Sequence, residues 1–186
     1  SFQANIYTII LSSIFKFDVL SRSNSSPSGW KSNYLKLLIF KFFFKFANEI
    51  VVNSKEFKKE FKRYFNINTK LIYNPLNKKE IENKSRERLK FKFFEKKNSI
   101  KIINIGRFTD QKDHFTLLES MKMIKNKVNV KLLIMGYGTN KIKISNFIKK
   151  NKLQKYIRII SFKKNPFNYL RKADILVLTS RYEGLP

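Results

Sequence analysis

Residues 100–138 read IKIINIGRFTDQKDHFTLLESMKMIKNKVNVKLLIMGYG, and this stretch decides the fold class. Two short apolar runs, Ile100–Ile105 and Val130–Met135, each end at a glycine, which is typical of strands buried on both faces. Between them, apolar side chains recur at helical spacing over 115–125, which predicts a helix. Strand, helix and strand in this order predict two parallel strands joined by a right-handed crossover.

The same alternation extends through the rest of the chain. Further strands are predicted at 18–20, 49–52, 70–73, 157–162 and 175–178. Further helices are predicted at 6–15, 35–46, 55–65, 141–150 and 167–172. Ser54 is the expected N-cap of the helix at 55–65. The pattern predicts an α/β protein with parallel sheets.

Composition divides the chain into two Rossmann-like lobes. The stretch 78–98 is rich in lysine, glutamate and asparagine and is predicted to be a charged linker. It separates a partial N-terminal lobe at 1–77 from a C-terminal lobe at 99–186. Ligands of parallel sheets bind at the carboxyl ends of the strands. We therefore expect a site in the loops that follow the strands, in a cleft between the lobes.

The 186 residues include 40 Lys and Arg against 13 Asp and Glu, a net charge of +27 that attracts polyanions. The lysines are spread along the whole chain, which favours a solvated surface over a nucleic-acid interface. A basic nucleic-acid-binding protein stays an alternative. The chain has no cysteine and a single histidine, His114, so we expect no thiolate or multi-histidine metal site and no cofactor.

Lysines interrupt the apolar residues of the helix predicted at 35–46. Its apolar residues that share one face are Leu35, Leu38, Ile39, Phe42, Phe43 and Phe46. Such a helix packs this face on its own lobe, the preferred interpretation, or lies on an anionic membrane surface. We expect no transmembrane segment, because a span needs about 20 mostly apolar residues, and no signal peptide.

Three loops that follow predicted strands carry the candidate functional residues. The first, GRFTDQKDH, holds Arg107 and Lys112, and a guanidinium and an ammonium together suit a diphosphate. The second, MGYGTN, has Gly136 and Gly138, which permit close approach of the backbone to a ligand. The third, TSRYEGLP, holds Glu183, which is suited to accept hydrogen bonds from sugar hydroxyls. Each loop also has an interpretation without function: Arg107 and Lys112 as surface bases, the two glycines as a tight turn, and Glu183 as an ordinary loop acid.

Together these segments resemble the C-terminal, donor-binding domain of the group 1 glycosyltransferases, the retaining family 4 enzymes of the GT-B fold. The matching stretches are INIGRFTDQKDHFTLLES, LLIMGYGTN and NPFNYLRKADILVLTSRYEGLP. Upstream, NEIVVNSKEFKKEF and LIYNPLN are similar to the end of that family's N-terminal domain. The resemblance covers nearly the whole chain and is strongest over its last third.

The resemblance implies roles for particular residues. Arg107 and Lys112 match the basic pair that holds the donor's diphosphate, and Glu183 matches the first acid of the Glu-x7-Glu motif, which lies near the donor sugar. These three are the implied catalytic residues. The other implied donor-binding residues are Gly106, Gly136, Gly138, Phe162 and Lys163, the last two in the region that lies against the nucleotide base.

The implied reaction moves a sugar from a nucleoside-diphosphate donor to an acceptor hydroxyl with retention of configuration, without a metal. The resemblance points to synthesis of cell-surface polysaccharide or lipopolysaccharide, with a glycan or lipid-linked acceptor. It implies a cytoplasmic enzyme with peripheral contact at the inner face of the cell membrane. A related GT-B enzyme, such as a nucleotide-sugar epimerase or a phosphorylase, is the alternative.

The chain departs from the family pattern at both ends. The second acid of the motif would fall eight positions after Glu183, beyond Pro186, and the first strands of the N-terminal lobe would precede Ser1. We therefore expect an internal fragment of a longer enzyme, inactive by itself. Asp113 stands where the family more often has glycine or asparagine, and Thr139 where proline is common.

Overall fold

The computed structural model describes residues 2–24, 27–30, 34–95 and 98–183. Their contacts divide into two compact units. Unit 1 holds the residues up to Leu76 together with Tyr182 and Glu183, and unit 2 holds Asn77–Arg181. Each unit contains a parallel sheet with helices around it, which confirms the predicted α/β class.

Unit 1 is built on a three-stranded parallel sheet. Its strands are β1 (Leu20–Ser23), β2 (Glu49–Val52) and β3 (Lys70–Leu71), side by side in that order. Its helices are α1 (Phe2–Phe15), α2 (Tyr34–Phe43) and α3 (Lys55–Phe65), with 3-10 turns at Pro27–Trp30 and Phe44–Phe46. The prediction for β2 is confirmed to the residue, because its apolar run is bounded by polar residues on both sides.

Helix α3 forms where its sequence predicts. The Ser54 hydroxyl accepts a hydrogen bond from the Phe57 amide at 3.1 Å, so the predicted N-cap is confirmed. Asn66 ends the helix in the left-handed conformation with φ of +56°. Phe57, Phe61 and Phe65 recur every fourth residue and are fully buried in the core of unit 1.

Helix α2 buries a different side from the one that its sequence suggests. Phe40 and Phe44 are 2% exposed and pack into the core of unit 1. Four residues of the predicted apolar face are largely exposed: Leu35, Leu38, Phe42 and Phe46. The expectation that this face packs on the lobe is wrong for those four. Because α2 is apolar nearly all round, periodicity alone does not select the buried side.

Unit 2 is built on a four-stranded parallel sheet in the order β6-β5-β4-β7. Its strands are β4 (Ile100–Ile105), β5 (Val130–Met135), β6 (Ile157–Ile160) and β7 (Ile175–Leu176). Its helices are α4 (Lys78–Arg86), α5 (His114–Ile124), α6 (Lys141–Lys150) and α7 (Phe167–Arg171), with 3-10 turns at Lys92–Phe94 and Asp110–Lys112. The predictions for β4, β5 and α6 match the structure to the residue.

Both faces of the two central strands, β4 and β5, are covered, whereas the edge strand β7 is exposed. Ile102 and Leu132 belong to a core cluster that also contains residues of α5 and α6. Their chain neighbours Ile103 and Leu133 point to the opposite face and join a second cluster. Two covered faces explain why β4 and β5 are near-continuous apolar runs, the pattern on which their prediction depends.

The stretch 78–98, predicted to be a charged linker, folds into unit 2. Asn165 Nδ2 donates hydrogen bonds to the Lys84 carbonyl at 2.8 Å and to the Glu87 carboxylate at 2.7 Å. Phe91 and Phe94 pack into the second core cluster of the sheet. Composition alone does not predict that 78–98 packs on unit 2, because the few apolar residues that make the contacts are outnumbered by charged residues. Over the part of the chain described, no helix combines the length and the apolar character required to cross a bilayer.

Candidate functional site

Three loops meet at the carboxyl end of the unit 2 sheet. The Phe108 amide donates to the Tyr137 carbonyl at 2.7 Å, and the Asn140 amide donates to the Phe108 carbonyl at 3.0 Å. These bonds join the loop after β4 to the loop after β5. The Arg181 amide donates to the Gln111 carbonyl at 2.9 Å and so ties the segment after β7 to the loop after β4. The loops after β4 and β5 and the segment after β7 as far as Arg181 are therefore neighbours within unit 2.

The basic pair lies on the loop after β4. Phe108 is fully buried and anchors this loop in the core, while its neighbour Arg107 is exposed. Carbon atoms of the Lys112 side chain lie 3.6 Å from the point where a Cβ on Gly106 would stand. Lys112 is therefore folded back over the start of the loop. Both cations share one short segment at the end of the sheet where ligands of parallel α/β folds bind.

The two glycines of the second loop are required by packing. A Cβ on Gly136 would lie 1.9 Å from the Gly106 carbonyl oxygen, closer than any carbon contact permits. Gly138 has φ of +146°, and a Cβ there would lie 2.6 Å from the Phe108 carbonyl oxygen. The tight-turn interpretation thus explains both glycines, and their contact with a donor stays a prediction.

Asp113 links the three elements around the basic pair, a role that the sequence analysis missed. Its carboxylate accepts from the Thr116 amide at 3.4 Å, which caps α5, and from Arg181 Nε at 3.4 Å. Its carbonyl accepts from the Thr179 hydroxyl at 2.9 Å. Burial opposes ionisation, but the bonds from Thr116 and Arg181 hold the pKa of this carboxyl below its usual value. The N-cap spacing of Asp113 and Thr116 was a signal available in the sequence.

The backbone of Asp113 explains its departure from the family pattern. Its φ of +43° lies in the left-handed region, which glycine adopts without strain and asparagine and aspartate adopt more readily than other residues. The capping bond to Thr116 gives aspartate a compensating contact that glycine lacks. The substitution therefore fits the turn.

His114 is the buried titratable group beside the basic pair. It is 2% exposed, its ring packs edge-on against Phe108 at 5.2 Å, and neither ring nitrogen has a hydrogen-bond partner among the described residues. Burial, and then the charge of Lys112, lower the pKa of His114, with Asp113 opposing. The imidazole is accordingly neutral at pH 7.

The pKa of His114 is lower in the folded protein than in the unfolded chain, where it has its ordinary value of 6.5. The stability associated with the neutral, buried imidazole is therefore fully present only above pH 6.5. As the pH falls below 6.5, the unfolded chain gains the proton first, and the free energy of unfolding should fall. We expect His114→Gln to reduce this loss between about pH 7.5 and about pH 5.5, measured by denaturant titration. An unchanged pH dependence in the variant would contradict the assignment.

The remaining predicted site residues lie on two other segments. Phe162, 52% exposed, and Lys163, also exposed, follow β6 at the carboxyl end of the same sheet. The Gly136 amide donates to the Ile160 carbonyl at 3.1 Å and joins the ends of β5 and β6. Glu183 is partly buried, stands two residues after Arg181 in the chain, and groups with unit 1 by its contacts. The structure thus gathers the predicted residues of unit 2 at one sheet end, and Glu183 belongs to the other unit.

Solved structures share this fold. The chain aligns with sucrose-phosphate synthase from Thermosynechococcus elongatus at a TM-score of 0.82 and 16% identity, covering 100% of this chain and 50% of that one. It aligns with Anabaena HepE in complex with UDP-glucose at a TM-score of 0.79 and 14% identity, covering 99% and 52%. The fold is that of the GT-B glycosyltransferases.

The sequence identifies the family. The model of the glycosyl transferases group 1 matches residues 85–186, so the chain belongs to this family. An uncharacterized glycosyltransferase of Methanocaldococcus jannaschii is 34% identical over 97% of this chain and 48% of its own length. The amylovoran biosynthesis glycosyltransferase of Erwinia amylovora is 29% identical over 99% and 51%.

A third relative has a named substrate. The N-acetylgalactosamine-N,N'-diacetylbacillosaminyl-diphospho-undecaprenol 4-alpha-N-acetylgalactosaminyltransferase of Campylobacter jejuni is 29% identical over 74% of this chain and 36% of its own length. The chain spans about half the length of the first two relatives, which match nearly all of it. The family prediction from the sequence is confirmed.

Proposed function

We propose that the protein transfers a sugar from a nucleoside-diphosphate donor to an acceptor hydroxyl with retention of configuration, in the synthesis of a cell-surface polysaccharide or lipopolysaccharide. The observation that carries the proposal is the pairing of Arg107 and Lys112 on the loop after β4, in a chain of the group 1 glycosyltransferase family. The names of the relatives from Erwinia and Campylobacter favour a glycan or lipid-linked acceptor.

The basic pair accounts for leaving-group chemistry in this proposal. Breaking the bond between the sugar and the diphosphate leaves negative charge on the diphosphate. Arg107 offers a planar fork of donors and Lys112 a compact charge, and both act on the leaving group as the bond breaks. Asp113 fixes the geometry by holding the end of the loop to α5 and to Arg181. Preorganised charge of this kind stabilises the transition state more than the ground state.

The neutral state of His114 supports the same role. An uncharged imidazole beside Lys112 adds no positive charge that would compete with this ammonium for the donor. Phe162 and Lys163 stand at the end of β6, where a nucleotide base would lie in this proposal. Glu183 is assigned to the hydroxyls of the donor sugar, and no protein nucleophile is assigned.

The test of this function is donor profiling with the full-length protein. We expect a radiolabelled nucleotide sugar to transfer its sugar to a diphospho-polyprenol or glycan acceptor and to release the nucleoside diphosphate. Nuclear magnetic resonance of the product should show the anomeric configuration of the donor. Recovery of an epimerised nucleotide sugar without transfer would instead assign the epimerase reaction, and an inverted anomer would contradict retention.

We further propose peripheral contact with the inner face of the cell membrane through the exposed side of α2. Leu35, Leu38 and Phe42 are 45–68% exposed, and Lys41 is exposed among them. Apolar side chains interleaved with a cation suit an interface of anionic lipid.

We expect Leu38→Ser with Phe42→Ser to lower the fraction of protein that sediments with phosphatidylglycerol vesicles several-fold. Met123→Ser with Ile142→Ser is the matched control, because these apolar residues on unit 2 are 71% and 73% exposed. Equal sedimentation of the two double variants would contradict the proposal.

A further inference from the structure

Unit 1 contains an open cavity of about 570 Å³ alongside α3, which we call the α3 groove. Five of its lining residues are basic and none is acidic. The lining residues are Lys55, Lys58, Lys59, Lys62, Arg63, Ile67, Asn68 and Thr69. All five bases are exposed, and most of the wall is carbon, because lysine stems lie along the surface with their charges toward water. The α3 groove therefore combines an aliphatic wall with a strongly positive rim.

The basic and the acidic side chains of α3 lie on different sides of the helix. At 3.6 residues per turn, the five bases fall within an arc of about 140° on the helix surface. The two acids, Glu56 and Glu60, fall on a neighbouring arc, and the buried phenylalanines occupy the third. Glu60 is directed elsewhere, since its carboxylate accepts from the Ser28 amide at 3.3 Å. The five bases therefore form one continuous positive face, and this is the face that lines the α3 groove.

One of these bases also works against the stability of the helix. Lys55 is the first residue of α3, directly after the N-cap Ser54. A positive charge at a helix N-terminus is repelled by the helix dipole, whereas Lys62 and Arg63 near the other end are favoured by it. The position of Lys55 is thus unexplained by folding and consistent with binding an anion in the α3 groove.

We propose that the α3 groove binds the phosphate or diphosphate group of an organic ligand, at a site separate from the donor loops of unit 2. The basic rim holds the anion, and the aliphatic wall contacts the organic part. This inference does not depend on the identity of the transferred sugar. It rests on residues of α3 and of the segment 67–69, none of which belongs to the proposed transfer site.

Isothermal titration with inorganic pyrophosphate tests the proposal. The full-length protein is titrated with Arg107→Ala and Lys112→Ala in place, so that the donor loops do not contribute. We expect the combined variant Lys55→Gln, Lys59→Gln and Lys62→Gln to bind pyrophosphate at least about tenfold more weakly than this background, because charge-assisted hydrogen bonds are lost. The matched control is Lys143→Gln, Lys149→Gln and Lys150→Gln on α6, which removes the same charge from an exposed face of unit 2.

Equal weakening by the α3 and α6 variants would show adsorption governed by net charge alone and would overturn the proposal. Unchanged binding in the α3 variant would overturn it as well.

Sedimentation with vesicles distinguishes two sources of the phosphate. If the α3 variant loses pyrophosphate binding and also sediments less with phosphatidylglycerol vesicles than the α6 control, the phosphate is that of a lipid headgroup. If it loses pyrophosphate binding and sediments like the control, the ligand is a soluble phosphate ester. Both outcomes support the site and differ only in the source of the ligand.

Discussion

Replacing Arg107 or Lys112 with alanine is expected to lower kcat/KM for glycosyl transfer by about 100- to 1,000-fold, the range observed when a preorganised charge-stabilising group is removed. The physical reason is that the charge on the diphosphate grows as the sugar leaves, and these two cations are the bases that the loop after β4 presents. The loss should appear mainly in kcat, since an interaction that strengthens in the transition state acts on the chemical step.

Arg171→Ala and Lys127→Ala are the controls for this experiment. Both remove an exposed cation from unit 2 away from the three loops at the sheet end. We expect their kinetics to stay within about twofold of the parent enzyme, because isolated surface charges contribute little. Near-normal rates in both the Arg107 and the Lys112 variants would refute the diphosphate clamp, and thermal unfolding of each variant excludes misfolding as the cause of a loss.

Gly136→Ala is expected to lower the free energy of unfolding by about 3–5 kcal/mol, at the upper end of single substitutions. The added methyl group would lie 1.9 Å from the Gly106 carbonyl oxygen and 2.9 Å from the Phe108 ring. Neither the carbonyl nor the fully buried ring has room to move, so the loops after β4 and β5 must separate. Denaturant titration measures the loss.

Gly106→Ala is the matched control for this substitution. Its methyl group would meet the carbon atoms of Lys112 at 3.6 Å, an ordinary contact with a side chain. We expect a change of less than about 1 kcal/mol there, as is usual where no clash, cavity or buried charge is created. Equal losses in the two variants would contradict the packing argument. The two glycine variants also distinguish an effect on stability from an effect on donor binding. Gly106→Ala changes the surface of the loop that carries Arg107 and Lys112 but leaves the fold in place.

The predicted strands of unit 2 match the observed ones to the residue or to within two residues at one end. They could be predicted because the pattern that marks each strand lies within the strand itself. Ile100–Ile105 and Val130–Met135 are covered on both faces, so each is a near-continuous apolar run, interrupted only by Lys101, Asn104 and Lys131, and each is followed by a glycine. The pairing of Arg107 with Lys112 was equally accessible, since they stand five positions apart on one loop. The role of Asp113 in joining the loop after β4 to the segment after β7 could not be predicted, because its partners Thr179 and Arg181 are distant in sequence.

The amino-acid sequence by itself determined the α/β class, the family, and the loops that carry the candidate residues, because these follow from short-range patterns of apolar and turn-forming side chains. Tertiary structure alone decided which side of α2 is buried, that 78–98 folds on unit 2, and that Gly136 faces the Gly106 carbonyl. Each of these depends on contacts between segments far apart along the chain, and local periodicity contains no information on such contacts.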